Sequence, residues 1–303
     1  MNRTCRLHHC LGLGLSASPQ GLVCDPDTGR YELAEAVNVD VIQGRLRRRP
    51  GFVRLLDQGM HSLFSSGEAL YGASADRLYL IPGQGEPRVL RDGLTVGARV
   101  SFVAVGESVY FANGFESGVI RDGAALPWGG TRYPGPDRTG RFVSPPAGHL
   151  LAHFAGRIWI ARESIVHFTE GAGLFDWVDS LAGFLPPATG TVRMLRPVAG
   201  GLYIGDDASV TFAAGCDPKT MTFATACTTP PIVGSDVSLA PGWHGDVAEK
   251  PLDGLAALWA GQDGIYLGSG NGHVKRLAQA AFPTVSRAAA VATVNRYLLL
   301  LEA

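Results

Sequence analysis

The sequence predicts an all-β protein, a β-propeller of about six blades, and three observations lead there. A short apolar strand, a polar or Gly-containing turn and a strand centred on Tyr or Trp recur six times, at Tyr79, Tyr110, Trp159, Tyr203, Tyr266 and Tyr297. Units recurring at this scale cannot bury their apolar faces alone and must stack to do so. The 40 Gly and 19 Pro are dispersed between short apolar runs, which marks many tight turns and hence many short strands. No part of the 303 residues carries a long stretch of helical periodicity.

Taken in order, the chain opens with Arg3 and Arg6 ahead of a weakly apolar stretch at residues 11–18. That stretch is short, broken by Gly12 and Gly14 and preceded by His8 and His9, so residues 1–19 read as an arm rather than a secretory leader. Residues 36–42 and 45–49 read as strands. Each aromatic strand then has an apolar partner before it: residues 61–64, 100–104, 150–154, 192–195, 255–259 and 289–294. Third strands fit residues 88–90, 119–120, 165–168, 210–212 and 274–277, and the sixth unit has none. The aromatic positions are spaced unevenly, by 31, 49, 44, 63 and 31 residues, which propeller rim loops tolerate better than a solenoid does. The amino-terminal strands are therefore expected to pair with the last unit and close the ring, so that residues 20–303 form one propeller with 20–56 as its closing strands. Two β-sandwiches split near Pro134–Pro146 are the alternative.

Composition narrows the partners. The formal net charge is −1, so no global basic field draws the chain to nucleic acid or an anionic membrane. No apolar run approaches the ~20 residues of a membrane-spanning helix. The five cysteines are sparse and odd in number, unlike a disulfide scaffold. Cys5 and Cys10 bracket His8 and His9, but adjacent histidines would compete for one metal and no second ligand pair follows closely. Cys216 and Cys227 could face each other across a hairpin, with free thiols the default.

Candidate chemistry is thin. Asp206 with Asp207, or Asp76 with Glu68, could be recast as glycosidase carboxylates, but turn-favouring Asp is expected between strands. The histidines lack metal-ligand spacing, no Gly-x-Ser-x-Gly elbow occurs, and Gly268–Gly272 leads into a strand and not a phosphate-holding helix. Hence the chain is expected to have no catalytic, cofactor or metal residues. The candidate interface residues are Arg45, Arg47, Arg48, Arg49, Trp128 and Trp243. The arginines form the densest charge cluster, read as an edge strand bonded to carboxylates or a neighbouring subunit in preference to a nucleic-acid patch. Trp128 and Trp243 lie in Pro- and Gly-flanked segments and read as loop anchors.

One set of motifs is more specific. Residues 35–40 (Glu-Ala-Val-Asn-Val-Asp), then Gly44-Arg45-Leu46-Arg47-Arg48-Arg49-Pro50-Gly51-Phe52, then His61-Ser62-Leu63-Phe64, resemble the opening of a group of tailed-bacteriophage virion proteins. Residues 109–114, 149–161 and 194–235 are similar to the same group, and the likeness spans roughly residues 11–277. The resemblance implies a β-propeller of a tail nozzle, hub or head-to-tail joint. It further implies a virion location, a ring of copies (a hexamer), contacts with adjacent tail or adaptor proteins, and DNA passing nearby without sequence-specific binding. A carbohydrate- or receptor-binding propeller is the alternative, and a sugar-active enzyme a weaker one.

Overall fold

The computed structural model describes every residue except 1–6, 15–18, 52, 53, 55, 68, 84, 138, 139, 244–251, 280, 281, 283, 284, 294, 295 and 303. The chain divides into two compact units, residues 1–57 with 279–281, and residues 58–278 with 282–303. In the first, β1 (His9–Leu13) runs parallel to β3 (Arg30–Leu33), which pairs antiparallel with β2 (Cys24–Asp25). Thus part of the expected arm is a strand. A separate hairpin joins β4 (Val39–Ile42) to β5 (Arg45–Arg48).

The second unit holds five four-stranded sheets, each a meander or close to one. They are β6 (His61–Ser66), β7 (Ala69–Ser74), β8 (Arg77–Ile81) and β9 (Arg88–Arg91); then β10 (Ser101–Val105), β11 (Ser108–Ala112), β12 (Ser117–Arg121) and β13 (Ala124–Leu126). After the short β14 (Phe142–Val143) come β15 (Leu150–Phe154), β16 (Arg157–Arg162) and β17 (Ile165–Phe168). Strand β18 (Val178–Asp179) pairs back with β14, and β19 (Phe184–Leu185) completes the third sheet. The fourth comprises β20 (Met194–Val198), β21 (Gly201–Gly205), β22 (Val210–Ala214) and β23 (Thr222–Cys227). The fifth comprises β24 (Val237–Leu239), β25 (Ala256–Gly261), β26 (Gly264–Gly268) and β27 (Val274–Gln279). A last hairpin pairs β28 (Arg287–Ala292) with β29 (Tyr297–Glu302). The first strands lie side by side in chain order, β6 by β10, then β15, β20, β24 and β28, which is the blade order of a β-propeller.

The blades have strands that are buried on both faces, and that burial writes their sequence. Successive side chains of a strand point to opposite faces. On β11, Val109 and Phe111 enter the core shared with the first blade, while Tyr110 and Ala112 enter the core shared with the third. On β16, Ile158 and Ile160 join the second blade's side, whereas Trp159 and Ala161 join the fourth's. On β21, Leu202 and Ile204 face back and Tyr203 faces forward. Such strands read as continuous apolar runs rather than alternating ones. Each fully buried large side chain contributes about 1.5–3 kcal/mol.

Polar ties cross every junction beside these cores. Ser62 Oγ accepts the Val100 N–H at 2.9 Å and Ser101 Oγ accepts that of Leu151 at 2.9 Å. His149 Nε2 donates to the Val192 carbonyl at 2.6 Å, and Arg196 Nη2 to that of Asp236 at 2.9 Å. Tyr297 donates its hydroxyl to the Ser235 carbonyl at 2.5 Å.

Two expectations change. The aromatic repeat is not one structural position, because Tyr79 and Tyr266 sit on third strands and Tyr110, Trp159 and Tyr203 on second strands. Tyr71 on β7 and Trp259 on β25 occupy the second-strand place, giving spacings of 39, 49, 44 and 56 residues. The expected pairing of amino-terminal strands with the last unit is also not among the sheets. Within the described residues the sheet partner of β4 is β5 and that of β28 is β29, with β28 also bridged at Arg287 to Val233.

Candidate interaction surface

The arginine cluster is built by a tight hairpin. Gln43 and Gly44 link β4 to β5 with φ of 51° and 74°, the left-handed pair that a two-residue type I′ turn requires. Glycine suits the second place for another reason: a Cβ on Gly44 would run into the imidazole of His9. The register opposes Arg45 to Ile42, Arg47 to Asp40 and Arg48 to Val39. Alternation puts Arg45 and Arg47 on one face and Leu46 with Arg48 on the other. All four β5 side chains are exposed, Leu46 at 42%.

Arg49, just past the strand, places Nε 3.1 Å from Asp40 Oδ1. An exposed pair of this kind contributes about 0–1 kcal/mol. Arg45, Arg47 and Arg48 have no ion pair or hydrogen bond through their side chains among the described residues. The carboxylate-bonded reading of the cluster therefore holds for Arg49 alone within this chain. The two tryptophans are corrected outright. Trp128 is 6% exposed between the second and third blades, its ring tilted against that of Tyr110, with its indole N–H on the Phe175 carbonyl at 2.9 Å. Trp243 is 7% exposed against the last hairpin and donates to the Thr293 carbonyl at 2.8 Å. Neither presents a face to a partner.

Other sequence candidates resolve into architecture. Cys10 is buried and unpaired, opposite Tyr31, while Cys5 lies outside the described residues, and no three-residue metal cluster occurs among those described. Cys227 lies opposite Val210 at one end of the β22–β23 ladder and Cys216 follows Ala214 at the other, so the two thiols are free and apart. Asp206 is a turn residue whose carboxylate accepts the N–H groups of Ala208, Ser209 and Thr189. Burial alone would raise its pKa, but those hydrogen bonds outweigh it and hold the carboxyl below its ordinary value. Asp207 pairs with Arg193, Asp76 lies 3.9 Å from Arg77, and Glu68 lies outside the described residues.

Sequence reasoning passed over one concavity. A shallow cleft of about 430 Å³ opens between the fourth and fifth blades, lined by Thr225, Cys227, Thr229, Asp263, Tyr266 and Arg276. Asp263 accepts the Tyr266 hydroxyl at 2.7 Å and lies 3.3 Å from Arg276 Nη1. Burial pushes Asp263 up, while the Tyr266 and Thr229 hydroxyls and Arg276 bring it below its usual range. The cleft thus offers a charge-balanced, hydroxyl-lined wall able to hydrogen-bond a neutral polar ligand. Only the blade spacing reveals it, since its residues come from two sheets.

No family model matches the chain, and no curated protein matches it in sequence. Solved structures similar to it include virginiamycin B lyase from Staphylococcus aureus, at 15% identity and a TM-score of 0.46 over 78% of this chain and 74% of that one. The N-terminal domain of Nup159 is similar at 10% identity and 0.46 over 86% and 76%. The WD40 β-propeller domain of Doa1 is similar at 14% identity and 0.43 over 73% and 68%. The description as an all-β propeller rests on the five sheets and the order of their first strands.

Proposed function

We propose that this chain is a non-enzymatic structural subunit of a bacteriophage tail, at the nozzle, hub or head-to-tail joint. It would form, with copies of itself, a ring around the DNA exit channel, made in the host cytoplasm and retained in the virion. The observation that supports this reading is the placement of the phage-like segment. Its strands are not spent on the blades' sheets: they form their own hairpin, with Arg45, Arg47, Arg48 and Arg49 all exposed. A segment with that motif and that exposure suits contact with other molecules. The stacked blades supply a stiff body, since their interiors are packed on both faces of each sheet.

Electron microscopy of the purified protein, alone and with candidate adaptor proteins, tests the proposal. Closed rings are expected, a hexamer if the resemblance holds to that detail. A strictly monomeric protein that joins no tail component would overturn it. The cleft beside Tyr266 favours a second reading, a carbohydrate-binding propeller. In that case glycan binding should appear with the intact protein and fall on Asp263→Asn, with Trp128 and Trp243 playing no direct part.

A further inference from the structure

We infer that the β4–β5 hairpin is a contact site for the phosphate backbone of duplex DNA. The chain as a whole carries a net charge of −1, yet four arginines fall within five residues, and three of them have no ion pair among the described residues. Arg45 and Arg47 share one face of β5 and Arg48 projects from the other, so one four-residue strand holds three like charges whose repulsion a bound anion would relieve. What surrounds them selects the anion. Protein interfaces are centred on buried apolar and aromatic anchors, and β5 offers only Leu46. A membrane-surface element needs an apolar face to insert, and the strand has none of that breadth. Single-stranded nucleic acid is held by aromatic stacking platforms, and the hairpin contains no aromatic residue. A duplex needs charge alone, presenting one negative charge per ~1.7 Å of axis. Guanidinium groups bind phosphates through paired N–H bonds that carry no sequence information.

This inference stands on the hairpin's charges and does not require the tail reading. The test is fluorescence anisotropy of a labelled duplex of about 20 base pairs titrated with the full-length protein. Three released counterions predict that log K falls against log salt with a slope of about −2.7, a loss of roughly 40-fold between about 50 and 200 mM salt. Two unrelated duplex sequences should bind alike. The triple substitution Arg45→Ala, Arg47→Ala, Arg48→Ala should abolish the salt-dependent term, and the same three changed to Lys should restore it, with circular dichroism unaltered in both. A triple-alanine protein that keeps the wild-type slope, or polyglutamate competing as well as DNA, would overturn the inference, the latter in favour of an acidic protein partner. Absence of DNA binding at low salt overturns it too. Ring formation seen by microscopy is a separate readout, so failure of the tail reading and failure of this one are distinguishable.

Discussion

Asp206 and Asn113 solve the same local problem at the ends of β21 and β11. Each closes a tight turn by accepting the N–H groups two and three residues ahead, at 2.9 and 2.9 Å for Asp206 and 3.0 and 2.7 Å for Asn113. That chemistry is local, so turn-favouring Asp was legible in the sequence. Replacing Asp206 by Ala should cost about 1–3 kcal/mol by leaving those donors unmet. The carboxyl is held below its ordinary pKa in the fold, so its stabilisation is present above the unfolded value and lost as pH falls through the folded one. Urea denaturation should therefore show the gap between wild type and Asp206→Ala narrowing from about pH 7 to pH 3. The tryptophans were not legible in this way. Pro127 and Gly129, or Pro241 and Gly242, mark loops correctly, but burial of Trp128 and Trp243 is decided by a neighbouring blade far along the chain. Trp243→Ala should lower unfolding stability by about 3–5 kcal/mol, as a large core truncation does, and not merely change a surface contact.

At the scale of elements, strands buried on both faces were easy to find and hard to number. Residues 109–112, 158–161 and 201–204 announce themselves as apolar runs. Strand β7 does not, because Ala69-Leu70-Tyr71-Gly72-Ala73-Ser74 has no β-branched residue and an interior glycine. Gly72 is there because a Cβ would press on Leu63 and Ile81, a packing reason invisible before folding. The last hairpin shows the opposite case, with alternation intact because only one face is covered. Ala290, Ala292 and Tyr297 pack on the fifth blade, while Val291, Leu298 and Leu300 are exposed at 53%, 46% and 73%. Leu300→Ser should accordingly shift stability by no more than about 0.5 kcal/mol, as exposed substitutions do. Tyr297→Phe should cost about 1 kcal/mol by removing the hydroxyl donated to Ser235, and thermal denaturation of the pair will separate the two faces.

For the whole molecule, the class and the blade-like repeat were legible, while the way the amino-terminal strands are used was not. Residues 36–49 read as spare strand material beside a sixth unit short of strands, which is the ground for pairing the two. Local hairpin geometry at Gln43–Gly44 pairs those strands with each other, and no sheet among the described residues joins them to the last unit. Deleting residues 1–57 leaves each four-stranded sheet with all its strands. Such a truncation is expected to keep a β-type circular dichroism spectrum and one cooperative transition, and loss of both would return the closing role to the amino-terminal strands. The two-faced strands have a further consequence, for ancestry. On β11, β16 and β21, odd and even residues answer to different neighbours. A blade copied to a new place would match the blade beside it on at most one parity, and the other half of its residues would have to be rewritten. Repeats made that way keep their rhythm of strand and turn while losing their letters.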